Sequence, residues 1–348
     1  TGFKGSWLSI WLNSLGASVV GVSSDIPSTP SNFKTSRVED LIKDYRIDIR
    51  DLEGLTKIIQ DFNPDFIFHL AAKALVRYSY EKPLETLSTN AIGTANVLEA
   101  VKGLDKKLVL IMITSDKVYK NLEVTRGYKE TDIIGGDDPY SSSKGMAELV
   151  INSYFLSYFK EKKENIRLGI ARAGNVIGGG DWAKDRIVPD AMRAASNKDR
   201  LKIRSPNSTR PWQHVLEPLS GYLTLASELS KSTQRNGEAY NFGPPSNEDK
   251  TVIEVIRTMS EFWDQITWEV QENEQKFKEA VLLQLNCEKA KSELDWTPTL
   301  SFIETLEFTV NWYKYFHESQ DESMISYCLE QIEVYTDLAS KKLKPWSI

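Results

Sequence analysis

Cysteine is nearly absent. Only Cys287 and Cys328 occur in 348 residues, too few for a disulfide framework. Histidine is scarce too: His69, His214 and His317 lie far apart and near neither cysteine, so no structural zinc site and no metal are expected. There is no basic excess. Lys and Arg number 43 against 49 Asp and Glu, a formal charge of −6, which argues against nucleic acid as the main partner. No apolar run approaches the roughly 20 residues that a membrane helix needs. No secretory signal pattern is present, so a cytoplasmic location without a membrane partner is expected. Internal repeats and low-complexity segments are also missing.

What remains is ordinary globular material, with 41% hydrophobic and 26% charged residues. The length suits two domains or one large α/β unit. Through the first two thirds, short β-branched runs alternate with longer helical patterns. Ala17–Val22, Asp65–His69, Leu108–Thr114 and Ile166–Arg172 read as strands. Asp51–Phe62, Leu84–Val101 and Tyr140–Lys163 read as helices, the first capped by Asp51 with Glu53 in its first turn. This alternation predicts a parallel sheet covered on both faces. The pattern changes near Gly178–Asp181. Beyond it, helices are predicted over Val215–Ser230, Val252–Trp263, Glu288–Leu294, Phe302–Phe316 and Glu322–Leu338, with Trp263, Trp296, Trp312 and Tyr313 in the core.

Two constellations carry chemistry. Thr1-Gly2-Phe3-Lys4-Gly5-Ser6-Trp7 has the spacing of the last two glycines of a dinucleotide-binding GxxGxxG, where backbone approaches a pyrophosphate at a helix N-terminus. The first glycine of that motif and its preceding strand do not appear in these residues. Asp25 follows the next strand at the distance of a ribose-binding acid, and no Arg adjoins it in sequence, which favours NAD over NADP. The second constellation is Asp137-Asp138-Pro139-Tyr140-Ser141-Ser142-Ser143-Lys144. Asp138 suits a helix N-cap and Pro139 the first position, which places Tyr140 and Lys144 on one face. A lysine ammonium beside a phenol is expected to lower its pKa, so that it can take a hydroxyl proton as a hydride leaves the same carbon. Some 25 residues upstream, a buried strand ends in Thr114-Ser115-Asp116-Lys117, three kinds of proton-handling group where such sheets bind ligands.

These residues resemble the extended short-chain dehydrogenase/reductase superfamily, the NAD-dependent epimerase/dehydratase group, and within it the CDP-glucose 4,6-dehydratase family. The resemblance covers nearly the whole chain. Besides the motifs above it is carried by Asp48-Ile49-Arg50-Asp51, Phe68-His69-Leu70-Ala71-Ala72, Ala171-Arg172-Ala173-Gly174-Asn175 running on to Gly178-Gly179-Gly180-Asp181-Trp182, and Arg210-Pro211-Trp212-Gln213-His214-Val215. At the strand end dTDP-glucose enzymes carry Thr-Asp-Glu, whereas the CDP-glucose enzymes carry a hydroxyl residue, Asp and Lys; here stand Ser115, Asp116 and Lys117.

The resemblance implies a Rossmann-type doubly wound parallel sheet, here lacking its first strand, with a smaller C-terminal substrate lobe. Residues 1–173 would form the NAD domain and 174–348 mainly the substrate lobe, with about 205–240 returning to the sheet. It implies oxidation of the CDP-glucose C4 with help from Tyr140, Lys144 and Ser115, loss of water across C5 and C6 through Lys117 and Asp116, and hydride return to C6. Lys117 as base and Asp116 as acid suggest a coupled pair that has exchanged its proton. Tightly bound NAD would meet Gly2, Phe3, Lys4, Gly5, Asp25, Asp48, Ile49, Leu70, Ala71, Ala72 and Asn90, together with Tyr140 and Lys144. The substrate would meet Asn175, Arg186, Arg204, Arg210 and His214, with Trp212 shaping the pocket. Helices Leu84–Val101 and Tyr140–Lys163 would form a four-helix bundle in a homodimer, or part of a tetramer. Lys73 stands where relatives carry Gln, adding a positive charge near cofactor or sugar, and Asn286 where Asp is usual. Another nucleotide-sugar epimerase or dehydratase, or a nucleotide-binding protein without catalysis, are the competing readings. The intact set of Ser115, Asp116, Lys117, Tyr140 and Lys144 argues against the last.

Overall fold

The computed structural model describes residues 1–124, 126–161, 165–245, 250–271, 284–319 and 323–347. Four parallel strands form its central sheet: β3 (Phe66–His69), β4 (Leu108–Ile113), β5 (Ile166–Ala173) and β7 (Ala239–Phe242), in the spatial order β7-β5-β4-β3. A separate parallel pair joins β1 (Val20–Ser23) to β2 (Lys43–Arg46). Among the described residues no strand bridges β1 and β3.

Strand β4 shows why the sheet is buried on both sides. All six of its residues are buried, and they alternate between two cores. Val109, Ile111 and Ile113 join the cluster that holds Trp7 and Trp11 of α1 (Phe3–Ser14) and Leu216, Leu219 and Tyr222 of α7 (Leu216–Lys231). Leu108, Leu110 and Met112 face Leu55 and Ile59 of α2 (Leu52–Phe62), Val97 and Leu98 of α4 (Gly93–Lys102), and Ile151 of α5 (Pro139–Tyr154).

The helix predicted over Leu84–Val101 is α3 (Pro83–Leu87), continued through a π turn at Ser88–Ile92 into α4. Helix α5 likewise runs into a π turn at Phe155–Phe159; its predicted end at Lys163 lies outside the described residues. After β5 come α6 (Ile187–Ser196) and β6 (Arg200–Ile203), then α7 and β7, which return the chain to the sheet. The rest contains α8 (Val252–Phe262), β8 (Thr267–Val270), α9 (Phe302–Glu318) and α10 (Ile325–Lys341). Thr251 with Glu254 and Ser301 with Glu304 form capping boxes that start α8 and α9. The predicted start of the last helix, Glu322, lies outside the described residues; the helix begins at Ile325. Trp263, Trp296, Trp312 and Tyr313 are buried, as expected.

Glu217 ties α7 to the C-terminal helices. Its buried carboxylate accepts the amides of Thr299 and Leu300 and the Tyr335 hydroxyl. Burial pushes its pKa up to about 7, against the opposing pull of those donors. A carboxyl whose folded pKa is raised contributes stability that is full below its unfolded value, near 4.3, and is lost as pH rises through about 7. Melting temperature should therefore fall across that window, and Glu217→Gln should flatten the fall. An unchanged slope in the variant would show that the carboxyl titrates normally.

Candidate active site

One cavity of about 3520 Å³ takes in the gap between β1 and β3 and the loops at the carboxyl ends of β3, β4 and β5. These are the sheet ends where α/β folds bind ligands. Three local features build its reactive wall. Strand β4 delivers Ser115, Asp116 and Lys117 on a 3₁₀ turn, closed by the Ser115 hydroxyl accepting the Lys117 amide at 3.2 Å. Helix α5 starts on Asp138, whose carboxylate accepts the amides of Tyr140 and Ser141 at 2.9 and 3.0 Å and the Ser141 hydroxyl. That cap fixes the first turn, so Tyr140 and Lys144 project into the cavity together. Strand β5 ends at Ala173; Gly174 follows it, and Asn175 is in the left-handed region at φ 48°.

The wall is tightly fitted around Asp116, which is only 2% exposed. One carboxylate oxygen accepts the Ser115 hydroxyl at 2.8 Å, while the other is buried without a partner among the described residues. A Cβ on Gly174 would fall 2.1 Å from that second oxygen, so only glycine leaves room for the acid there. Lys117 is half-buried on the same turn.

Electrostatics correct one expectation. Burial raises the Tyr140 phenol to about 12 and outweighs the pull of Ser115, so Lys144 alone does not prepare a phenolate. Lys144 is itself lowered to about 8 by burial, with Glu148 opposing. Lys4 falls to about 7, chiefly by burial and then by repulsion from Lys144 and Arg186.

A profile of the GDP-mannose 4,6 dehydratase family matches residues 1–309. The chain belongs to that family. Within this dehydratase family it is 46% identical to a CDP-glucose 4,6-dehydratase of Salmonella typhimurium, over 92% of this chain and 90% of the relative. A dTDP-glucose 4,6-dehydratase of Haemophilus influenzae is 26% identical over 77% of this chain and 81% of its own length. Among solved structures, a dTDP-glucose 4,6-dehydratase of Bacillus anthracis in complex with NAD superposes with TM-score 0.74 at 24% identity, over 91% and 95% of the two chains. A UDP-glucose 4-epimerase of Thermotoga maritima gives TM-score 0.75 at 22% identity, over 91% and 97%. These two share the Rossmann-type fold.

The family's cofactor is NAD, and the residues present fit it. A Cβ on Gly2 or Gly5 would meet nothing within 4 Å, so both glycines face open space. Helix α1 has no side-chain cap and no acid in its first turn, which leaves its leading amides and positive dipole end for a diphosphate. Lys4 reaches only the Tyr222 hydroxyl, at 3.3 Å. Asp25, Asp48, Ile49, Leu70, Ala71 and Ala72 also line the cavity. Asp48 is held by a fork from Arg50, which keeps its carboxyl below the usual range.

Other expectations need correction. Asn90 does not line the cavity. Its amide clamps the Lys73 backbone at 2.8 and 3.0 Å and donates to Ser143. His214 is fully buried between Trp7 and Phe308 and contributes nothing to the cavity wall. Asp25 does have an arginine beside it: Arg46, distant in sequence, donates to the Asp25 carbonyl at 3.3 Å while pairing with Asp44. The sequence argument for NAD over NADP therefore does not hold at this position. Lys73 brings little net charge, because it pairs with Glu85 at 3.2 Å.

Of the substrate candidates, Asn175, Arg186, Arg204 and Arg210 line the cavity, with Trp212. Arg186 pairs with Asp181 at 2.9 Å, which raises its pKa, and Arg204 lies 3.6 Å from Asp185. Sequence reasoning missed Gly174, Glu148 and the Arg77–Asp185 pair. Glu148 left a signal, an acid four residues past Lys144 on the Tyr140 face.

Proposed function

We propose that this chain dehydrates CDP-glucose to CDP-4-keto-6-deoxyglucose with NAD bound throughout. The observation that carries this reading is the Ser115-Asp116-Lys117 turn facing Tyr140 and Lys144 across one cavity. An epimerase needs only the second pair. The relative from Salmonella typhimurium, a CDP-glucose 4,6-dehydratase at 46% identity, supports the nucleotide.

Bound NAD would supply hydride acceptance and return, held by Gly2, Phe3, Lys4 and Gly5, while burial holds the Tyr140 phenol near 12. Tyr140, with Ser115, takes the proton of the C4 hydroxyl. Lys144 holds the phenol's charge. The resulting C4 carbonyl acidifies the C5 hydrogen, which Lys117 removes and returns to C5 as the hydride reaches C6. Asp116, whose second oxygen is free, protonates the C6 hydroxyl as it leaves. Lys4 and the α1 amides hold the cofactor's diphosphate, and Asn175, Arg186, Arg204 and Arg210 the sugar nucleotide. The division into a cofactor part, residues 1–173, and a substrate part, 174–348 with about 205–240 returned to the sheet, belongs to this reading. So does a cytoplasmic setting. The protein incubated with NAD and CDP-glucose should give a product one water lighter by mass spectrometry. Recovery of a 4-epimer of unchanged mass would select the epimerase instead.

The same reading includes a homodimer. Leu84 and Ile92 on one helical run and Met146, Leu149 and Leu156 on the other are exposed although large and apolar. A second copy of the two helices would cover them as a four-helix bundle. Leu149→Glu should turn a dimer into a monomer by light scattering; a wild-type monomer would refute the bundle.

A further inference from the structure

We infer that Glu148 and Arg172 are positioning residues, which hold the Ser115–Asp116–Lys117 turn in register with the Tyr140–Lys144 helix. This rests on the reading of the site just given. Glu148 lies one turn beyond Lys144 on α5, and Arg172 lies on β5. Their side chains are 1% and 3% exposed, and neither lines the cavity, so neither can touch a substrate.

Together they grip both ends of the turn. Ahead of it, the Thr114 hydroxyl donates to the Glu148 carboxylate at 2.6 Å. The same oxygen accepts Arg172 Nε at 2.8 Å, and the other oxygen accepts Nη2. Behind it, Arg172 Nη1 donates to the Tyr119 hydroxyl at 2.7 Å and to the Glu130 carbonyl at 3.1 Å. The Tyr119 hydroxyl in turn donates a hydrogen bond to Asn241 Oδ1 at 2.7 Å. One buried ion pair thus spans the tyrosine helix, the strand that leads to Gly174 and both flanks of the acid–base turn.

Fold stability alone does not call for such a pair. Apolar residues of equal volume often stabilise as well or better, because two charges must be desolvated. What an apolar pair lacks is direction. Oxidation at C4 uses groups on α5, while elimination at C5 and C6 uses groups on the turn. Both must meet one sugar ring within about 0.5 Å of productive geometry. A bidentate pair with hydroxyls on either side fixes that spacing.

The test uses variants that spare the ion pair, since breaking it could unfold the chain. Thr114→Val and Tyr119→Phe each remove one hydroxyl, and Thr114→Ser keeps it. Backbone amide exchange over 114–119, followed by mass spectrometry, reads the turn without any substrate. Its amides at Lys117, Val118 and Tyr119 bond within the turn. Losing one tether should speed their exchange by about 5- to 10-fold, the equivalent of one net hydrogen bond. With CDP-glucose, the same variants should lose about 10-fold in kcat for water loss, with KM unchanged and the 4-ketone released before elimination. Thr114→Ser should restore both readouts. Wild-type exchange over 114–119 in both variants would overturn the inference whatever the substrate. So would a kcat loss that Thr114→Ser shares with Thr114→Val. Failure of the site reading would show differently, as wild-type protein that takes no water from CDP-glucose.

Discussion

Tyr140→Phe lowers kcat by about 10²- to 10⁴-fold, the usual worth of a positioned proton acceptor. No reduced cofactor should accumulate, because the first step itself is blocked. The fold should survive: the ring is 7% exposed, and its helix is held by the Asp138 cap and the apolar face of α5, not by the hydroxyl. Affinity for CDP-glucose should change little, since the hydroxyl is one contact among several. Stopped-flow absorbance of reduced nicotinamide, with melting temperature as control, measures this. Wild-type accumulation of reduced cofactor in the variant would remove Tyr140 from the first step.

Asp116→Asn should also stop product formation, by about 10²- to 10⁴-fold, but at a later point. Asparagine is isosteric and can still accept the Ser115 hydroxyl that reaches Asp116 at 2.8 Å. It cannot protonate the C6 hydroxyl as it leaves. The C4 carbonyl should therefore form and wait, with reduced cofactor building up as water loss fails. Tyr140→Phe and Asp116→Asn then give opposite absorbance signatures for equal losses of product. If Asp116→Asn also blocked reduction of the cofactor, the acid would belong to the first step and the proposed division of labour would be wrong.

How far these roles could be read in advance depended on the range of the interaction. Asp138, Pro139, Tyr140 and Lys144 were legible because a cap and a single helical turn place them by local geometry. The same holds for Asp51 over α2, and for β4, whose unbroken apolar run announces burial on both faces. Gly174 and Asp116 meet across two strands, and nothing at either position signals that a methyl group there would strike a carboxylate. Arg46 escaped notice beside Asp25 because it arrives on the neighbouring strand, 21 residues away. Asn90 and His214 show the reverse error. Two polar residues that the resemblance sets against ligands stand off the cavity: one braces backbone and the other packs between aromatic rings. The Tyr140 pKa has a related cause: Lys144 is visible in sequence four residues on, whereas the burial that raises the phenol is not.

The central claim is that one site oxidises C4, removes water and returns the same hydride to C6. CDP-glucose carrying deuterium at C4 tests this directly. The product should be one water lighter than the labelled substrate, with the deuterium retained and located on the C6 methyl group by fragmentation. Water loss with the deuterium gone, or label still on C4, would contradict the account.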